Sequence, residues 1–193
     1  MFDTSKDYIL EDERVLLRPI EAGDFDYLLV FSENEPQLWK YALISGATPE
    51  NLRLYIDSAI QKRLAKTQYS FIVFDKKTNE YVGCTRFYEI SNATQSALLG
   101  YTWYGQNFQG TGINKHCKAL MLEFAFETCG FERIEFRADA ANQQSIRALL
   151  KIGCKLEGIL RSHIPRLLGG RRDTAVLSIL RNEWFDEVKT LLK

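Results

Sequence analysis

The feature that most constrains the fold is a glycine-rich turn, QGTG at 109–112, between a strand-like segment and a long apolar segment. The upstream segment ALLGYTWY (97–104) favours a β-strand. The downstream segment favours a largely buried helix from about 112 to 129, ended by Gly130. Glycines let the backbone curl so that several N–H groups point to one place, where they join the free N–H groups of the helix start. The turn therefore predicts an anion site, with phosphate as the usual ligand.

Three cations follow the turn: Lys115, His116 and Lys118. A cation at a helix start costs about 0.3–1 kcal/mol unless a bound anion compensates it. We therefore predict that these side chains face a bound polyphosphate; solvated lysines beside an ordinary tight turn are the alternative. Two common phosphate loops do not fit, because a P-loop ends in Gly-Lys-Ser/Thr and a dinucleotide fingerprint needs a third glycine at 115.

The rest of the chain alternates between strand and helix patterns. Helix starts are predicted at Asp24, at Thr48 followed by Pro49, and at Asn142. Strands are predicted at 14–20, 70–75, 81–90, 97–104, 132–139, 155–164 and 173–182, with a hairpin turn at 167–172 and a final helix at 183–193. This order indicates an α/β or α+β fold with a mixed central sheet. Without a linker-like segment, 1–193 is predicted to be a single domain.

Composition argues against several classes of function. Lys+Arg and Asp+Glu both number 25, so the formal net charge is zero and no nucleic-acid partner is expected. The chain lacks an apolar run of about 18 residues, so we expect no membrane span. Its N-terminus is polar and acidic, so we expect no signal peptide and a cytoplasmic location. Four cysteines without a CxxC pair and two histidines predict buried thiols and no metal.

These motifs resemble the GNAT superfamily of acetyl-CoA-dependent N-acetyltransferases over about 10–185. The family's Gln/Arg-x-x-Gly-x-Gly/Ala signature reads QGTGIN at 109–114, with Asn114 in place of Gly or Ala. Further segments resemble the branch of the ribosomal-protein N-terminal (Rim-type) acetyltransferases: LRPIEAGDFDYL, LLGYTWYGQNFQGTG, RADAANQQSIRALLKIGCKLEGILR and GGRRDTAVLSILRNEW. The resemblance implies a single GNAT-type domain whose central strands splay apart to form an acyl-CoA site.

The resemblance also implies contacts with acetyl-CoA. The pantetheine chain would pair with the open strand edge, here the backbone of Thr102, Trp103 and Tyr104. A backbone N–H of that strand would stabilise the oxyanion of the tetrahedral intermediate. The pyrophosphate would be held by the turn and the helix start, which comprise Gln109, Gly110, Thr111, Gly112, Ile113, Asn114 and Lys115. For the segment at 97–104, the alternative is an ordinary buried strand that binds no cofactor.

Two residues after the next strand match the family's Asn-x-x-Ser. Asn142 would contact the pantetheine, and Ser145 would donate a proton or a hydrogen bond to the leaving CoA thiolate. Alternatively, Asn142 is only a helix cap and Ser145 has no role. Some family members use a tyrosine as the acid later in this helix, but here 147–151 reads RALLK.

The base and the acceptor stay open. Asp139, at the strand end and on the same face as Glu135 and Arg137, is the candidate base; water and a purely salt-bridged face are the alternatives. The Rim-type resemblance favours a protein N-terminal amine as acceptor. A small amine such as a polyamine, amino sugar or antibiotic is the second hypothesis, and a non-catalytic acyl-CoA-binding module is the third. A homodimer stays open.

Side chains that could contact an acceptor also have ordinary explanations. Arg166, Arg171 and Arg172 are either a solvated hairpin tip or a clamp for an acidic acceptor. Trp39, Tyr41 and Trp103 either line an acceptor pocket or belong to the core. Cys117 is predicted to be core, because direct transfer of the acetyl group needs no cysteine nucleophile.

Overall fold

An eight-stranded mixed β-sheet forms the centre of the computed structural model, which describes residues 1–167 and 169–192. The strands are β1 Leu10–Glu11, β2 Val15–Pro19, β3 Gln68–Asp75, β4 Glu80–Ser91, β5 Ser96–Tyr104, β6 Arg133–Asp139, β7 Lys155–Pro165 and β8 Arg171–Leu180. The helices are α1 Phe25–Asn34, α2 Pro49–Leu64, α3 Ile113–Glu123, α4 Gln143–Lys151, α5 Arg181–Glu183 and α6 Lys189–Leu192. Single π-helical turns extend α3 over Phe124–Thr128 and join α5 to α6 over Trp184–Val188.

The order of the strands is β1-β2-β3-β4-β5-β6-β8-β7. Among the described residues, β5 and β6 form the one parallel pair, and their pairing covers three positions, from Ser96↔Arg133 to Leu98↔Glu135. Beyond these positions β5 continues beside β4 and β6 continues beside β8, so the two strands diverge. The predicted mixed sheet with splayed central strands is therefore confirmed.

Helices cover both faces of the sheet, because side chains of each strand alternate between the faces. On one face, α3 and the C-terminal helices bury a large apolar cluster that includes Met121, Phe126 and Trp184. On the other face, α1 and α2 bury a second cluster that includes Leu52 and Ile56. No helix in the described ranges combines the length and the apolarity needed to cross a bilayer.

Most predicted elements lie within two or three residues of the observed ones. Thr48 caps α2 as expected, since its hydroxyl oxygen accepts from the Asn51 N–H at 3.2 Å. The short strand β1 has no counterpart in the prediction, because a two-residue strand carries no periodicity. The predicted hairpin turn and final helix include Leu168 and Lys193, which lie outside the described residues.

The prediction that the Asp24 side chain caps α1 is wrong. Asp24 holds the N-cap position without a side-chain cap bond. Its buried carboxylate instead accepts from Arg18 Nη1 at 3.0 Å and Nη2 at 2.5 Å, and from the Glu21 N–H at 2.8 Å. The guanidinium comes from β2, six residues earlier, and the chain reversal between β2 and α1 brings it to Asp24. Asp24 therefore joins β2 to α1.

We predict that Asp24→Ala lowers the free energy of unfolding by about 3 kcal/mol, because the substitution leaves the Arg18 guanidinium without its carboxylate partner. Asp26→Ala, at an exposed site two residues later, is the control and costs about 0.5 kcal/mol or less. Urea titration measures both values. Equal losses in the two variants would show that the buried ion pair does not stabilise the fold.

Candidate active site

A cavity of about 800 Å³ lies where β5 and β6 separate. Its wall is formed by the unpaired part of β5, the end of β6, the start of α3 and the first turns of α4. The volume falls within the usual range for a site that binds a small molecule. The backbone edge of β5 at 99–104 has no partner on the β6 side, so this edge is available to a ligand.

The glycine turn sits at one end of the cavity. Gly110 and Gly112 have φ of +75° and +95°, in the left-handed region that favours glycine. A Cβ at either position would meet no atom of the chain within 4 Å, so the space beside the turn is open. In the described part of the chain, the backbone N–H groups of 110–114 donate no hydrogen bond. The turn therefore presents free donors at the start of α3, which fits an anionic ligand such as pyrophosphate.

Three side chains of the signature support the turn rather than point at a ligand. Gln109 Nε2 donates to the Tyr104 carbonyl at 3.0 Å, and Thr111 Oγ1 donates to the Phe108 carbonyl at 2.7 Å. Asn114 Oδ1 accepts from the buried Tyr104 hydroxyl at 3.4 Å. The asparagine that replaces the family's Gly or Ala thus gives Tyr104 a partner and leaves the backbone of the turn free.

His116 does not face a polyphosphate, and that prediction is wrong. Its Nδ1 lies 2.7 Å from Asp12 Oδ2, in the loop between β1 and β2. The fold brings this loop against α3, and the sequence gives no sign of that contact. Asp12, Glu13 and His116 form the one group among the described residues whose possible metal-ligand atoms lie within 4.8 Å of one another. The hydrogen bond between His116 and Asp12 accounts for the arrangement.

Lys118 also departs from the prediction, because it is buried beneath β5. Its Nζ lies 2.8 Å from Thr102 Oγ1 and 3.4 Å from Thr85 Oγ1. It is also 5.9 Å from the ring centroid of Phe136 on β6, which places the amine between the diverging strands. Burial lowers the pKa of Lys118 to about 8. The sequence signal for this burial was the position of Lys118, directly after Cys117 on the buried side of α3. Lys115, by contrast, is exposed at the helix start.

Asn142 and Ser145 both line the cavity. Asn142 Oδ1 accepts from the Ser145 N–H at 3.1 Å, which confirms that Asn142 caps α4. The contact of Asn142 with pantetheine stays a prediction. The Ser145 hydroxyl has no hydrogen-bond partner within the described ranges, so it is free to meet a ligand.

Asp139 is tightly held. Its carboxylate accepts from Arg166 Nε at 3.0 Å and Nη2 at 3.1 Å, and from the Ala141 N–H at 2.9 Å. Burial by itself raises the pKa of Asp139, but these hydrogen bonds outweigh it and leave the pKa below its usual value. On the same face, Glu135 accepts from Arg137 at 2.7 Å. The salt-bridged face, the alternative left open by the sequence, is what the structure contains.

An aromatic group closes the side of the cavity next to α1 and α2. Trp39 and Trp103 pack with ring centroids 4.8 Å apart, and Trp103 Nε1 donates to the Tyr55 hydroxyl at 3.3 Å. Both tryptophans are buried, yet they and Tyr41 line the cavity. The two interpretations of these aromatics, core and pocket, therefore both apply. Cys117 is core as predicted, and burial raises the pKa of its thiol to about 12.

Comparison with known proteins places this geometry in context. Residues 14–155 match the family model described as "Acetyltransferase (GNAT) domain". The chain is 30% identical over 178 residues to "Probable N-acetyltransferase YjcK" of Bacillus subtilis (strain 168), with 89% of this chain and 97% of that protein covered. It is 27% identical over 176 residues to "Uncharacterized N-acetyltransferase p20" of Bacillus licheniformis, with 91% and 97% covered.

Solved structures show the same fold. A GCN5-related N-acetyltransferase from Brucella melitensis superposes with a TM-score of 0.88 at 26% identity, over 96% of this chain and 83% of that one. A ribosomal-protein-S5-alanine acetyltransferase from Vibrio fischeri superposes with a TM-score of 0.73 at 20% identity, over 92% of this chain and 99% of that one.

We predict that Gly110→Ala raises the Kd for acetyl-CoA, the ligand that the resemblance implies, about tenfold or more. The added Cβ occupies the open space beside the free N–H groups, and a hydrogen bond to a charged group contributes about 1.5–3 kcal/mol. Calorimetric titration measures the Kd.

Gly170→Ala is the matched control for this variant. Gly170 has a φ of +74° and no atom within 4 Å of an added Cβ, but it lies in the turn between β7 and β8. Both variants carry a similar backbone strain of about 1–2 kcal/mol. A comparable loss of acetyl-CoA affinity in both would mean that strain, not the anion site, causes the effect.

Proposed function

The chain belongs to the GNAT family of N-acetyltransferases, and from this premise we propose that it transfers the acetyl group of acetyl-CoA to the N-terminal amine of a protein. One observation carries the acetyl-CoA part of the proposal: the open edge of β5 at 99–104 is followed, after one short turn, by the free N–H groups of 110–114. The choice of a protein N-terminus as acceptor follows the Rim-type resemblance. A pantetheine chain and a pyrophosphate need these two features, in this order along the chain.

The chain's own groups would hold acetyl-CoA, which supplies the acetyl thioester. The N–H groups from Gly110 to Asn114 would bind the pyrophosphate, with Lys115 beside them. The backbone of Thr102, Trp103 and Tyr104 would pair with the pantetheine. At one end of this edge, the Tyr104 carbonyl already accepts from the Gln109 side chain. The amide of Asn142 would contact the pantetheine from α4.

A bulge in β5 offers a donor for the oxyanion. Two residues, Tyr101 and Thr102, lie between the pairs Arg86↔Gly100 and Cys84↔Trp103, where β4 has one residue. Tyr101 has a φ of +49°, which is rare outside glycine. A bulge leaves backbone groups outside the ladder, and an N–H aimed at developing negative charge lowers the barrier to acyl transfer. We assign the oxyanion donor to the backbone of this bulge.

Two protons move in the reaction. The free Ser145 hydroxyl would donate a hydrogen bond or a proton to the departing thiolate. The attacking nitrogen must also lose a proton. Asp139 is a poor candidate base, because Arg166 occupies both of its oxygens. We therefore assign this proton to water, which suffices for an α-amine with a pKa of about 7.7–8.

We predict acceptor-dependent release of CoA thiol with short peptides, and a fall in kcat of about a hundredfold in Ser145→Ala with an unchanged Kd for acetyl-CoA. Thiol colorimetry and calorimetric titration give the two values. Gln143→Ala removes an exposed side chain of the same helix that does not line the cavity, and it keeps the wild-type kcat. Full kcat in Ser145→Ala would exclude the proton-donor role. Acetyl-CoA binding without thiol release on any amine would favour a non-catalytic module.

Substitutions of Asn142 separate its two roles. Asn142→Ser keeps a good N-cap, so we predict a wild-type Tm but an increase of about tenfold in the Kd for acetyl-CoA, because the amide is lost. Asn142→Ala loses both roles, and its stability falls by about 1 kcal/mol as well. Thermal unfolding and titration measure the two effects. A wild-type Kd for acetyl-CoA in Asn142→Ser would show that Asn142 acts only as a helix cap.

A further inference from the structure

The wall of the cavity is much more positive than the chain as a whole. Six cationic residues line it: Lys40, Lys118, Arg137, Arg147, Lys151 and Arg172. Of these, Arg137 is paired with Glu135 and Glu89, which lie outside the lining. Asp139 is the one carboxylate among the described lining residues, and Arg166 already neutralises it. Because the chain carries 25 acidic and 25 basic residues, this is a local concentration of positive charge.

Arg172 is the cation that most needs a partner. Its side chain is buried, at 5% exposure, and lies on β8 facing the opening between the strands. Its Nε donates to Thr174 Oγ1 at 3.1 Å, and no carboxylate within the described ranges comes within 4.0 Å of it. Burial lowers the pKa of Arg172, and the more distant Asp139 offsets this in part. A buried cation without a paired anion is costly, and an anion entering the cavity would relieve that cost.

Arg86 adds a second uncompensated charge behind the same wall. It is fully buried, and its guanidinium carbon lies 4.7 Å from the ring centroid of Tyr55 and 4.4 Å from that of Tyr101. Nη1 donates to Gln68 Oε1, whereas Nε and Nη2 have no partner in the described part of the chain. Tyr55 and Tyr101 line the cavity, so Arg86 contributes positive potential through their rings.

The three arginines near the β7–β8 turn have different positions. Arg166 holds Asp139. Arg171 is exposed and donates to the Ser162 and His163 carbonyls on β7. Arg172, one residue later, turns to the opposite face and into the cavity. Arg172 alone of the three combines burial, access to the cavity and a guanidinium without a carboxylate partner.

We propose that Arg172, with Arg86 behind Tyr55 and Tyr101, binds a carboxylate of the acceptor, so that the preferred acceptor is a protein whose first residue is Asp or Glu. The inference rests on the proposed transfer to an N-terminal amine. A guanidinium matches a carboxylate in shape and charge, and the burial of Arg172 strengthens such a contact. Polyamines and aminoglycosides are disfavoured, because their several cations would meet the same positive wall.

Arg172 lies on a different element from the proposed site of the CoA phosphates. The free N–H groups for the pyrophosphate follow β5, whereas Arg172 follows the β7–β8 turn and shares its face with Asp139. It lines the same cavity as Tyr88 and Tyr101, across the gap between the strands. Tyr101 belongs to the bulge to which we assign the oxyanion donor, so an acidic group bound by Arg172 would share the cavity with the reacting amine.

The first test compares peptides that differ only in the first residue, Asp, Asn, Ala or Lys, each with an amidated C-terminus, and free aspartate, by thiol release with saturating acetyl-CoA. The Asp peptide is expected to exceed its Asn isostere by about tenfold or more in kcat/KM, and the Lys peptide to be the poorest. An Asn peptide equal to or better than the Asp peptide overturns the inference, while its thiol release still supports the proposed function. Free aspartate as the best substrate would move the carboxylate contact to a small acceptor and overturn the peptide assignment.

The second test locates the contact. Arg172→Gln is expected to reduce the Asp-to-Asn ratio of kcat/KM to about one, with the Kd for acetyl-CoA unchanged, and Arg172→Lys is expected to restore part of the ratio. Arg171→Gln, the exposed neighbour, keeps the wild-type ratio. A ratio that survives in folded Arg172→Gln overturns the assignment to Arg172, and thermal unfolding checks the fold. If this variant does not fold, Arg172→Lys decides by its change in KM for the Asp peptide, and an unchanged KM overturns the assignment.

Discussion

The site depends on the short pairing between β5 and β6. Three paired positions join the two strands at one end, and each strand then continues with its other neighbour. A parallel pair that ends early leaves backbone groups of both strands without a ladder partner, and such groups are costly unless water or a ligand satisfies them. The same divergence opens the cavity. One interruption in the sheet therefore provides both the space for a ligand and the donors to bind it.

Polar side chains occupy the gap where apolar packing would close it. Lys118 lies at its floor, bonded to Thr102 on β5, and Thr102 is bonded in turn to Thr85 on β4 at 2.8 Å. At the upper end of β6, Asp139 and Arg166 hold the turn that leads into α4. Charged groups in a low-dielectric interior keep their geometry only when their hydrogen bonds are made. These contacts tie β5 to β4 and α3, and β6 to the end of β7, so each strand is held by its other neighbours and the space between them stays open.

Much of the fold could be predicted from local signals. The glycines of the turn, the cap at Thr48 and the strand periodicities are encoded within a few residues, and the structure contains all of them. The partners of His116 and Lys118 lie 104 and 16 residues away, and the partner of Asp24 lies on a neighbouring strand, so local helix patterns assigned all three wrongly. For the candidate site, the sequence identified the turn and the α4 cap. It did not identify the burial of Lys118 or Arg86, because charged side chains are usually exposed.

The positive charge of the cavity also affects how the attacking amine can lose its proton without a side chain that acts as base. Asp139 is occupied by Arg166, and the described lining holds no other carboxylate. A positive wall favours the uncharged form of an amine that binds beside it, which lowers the amine's pKa and reduces the need for a base. A carboxylate on the acceptor would by itself raise that pKa again. Pairing the carboxylate with Arg172 cancels most of this effect, so one buried arginine would both select an acidic acceptor and keep its amine ready to attack.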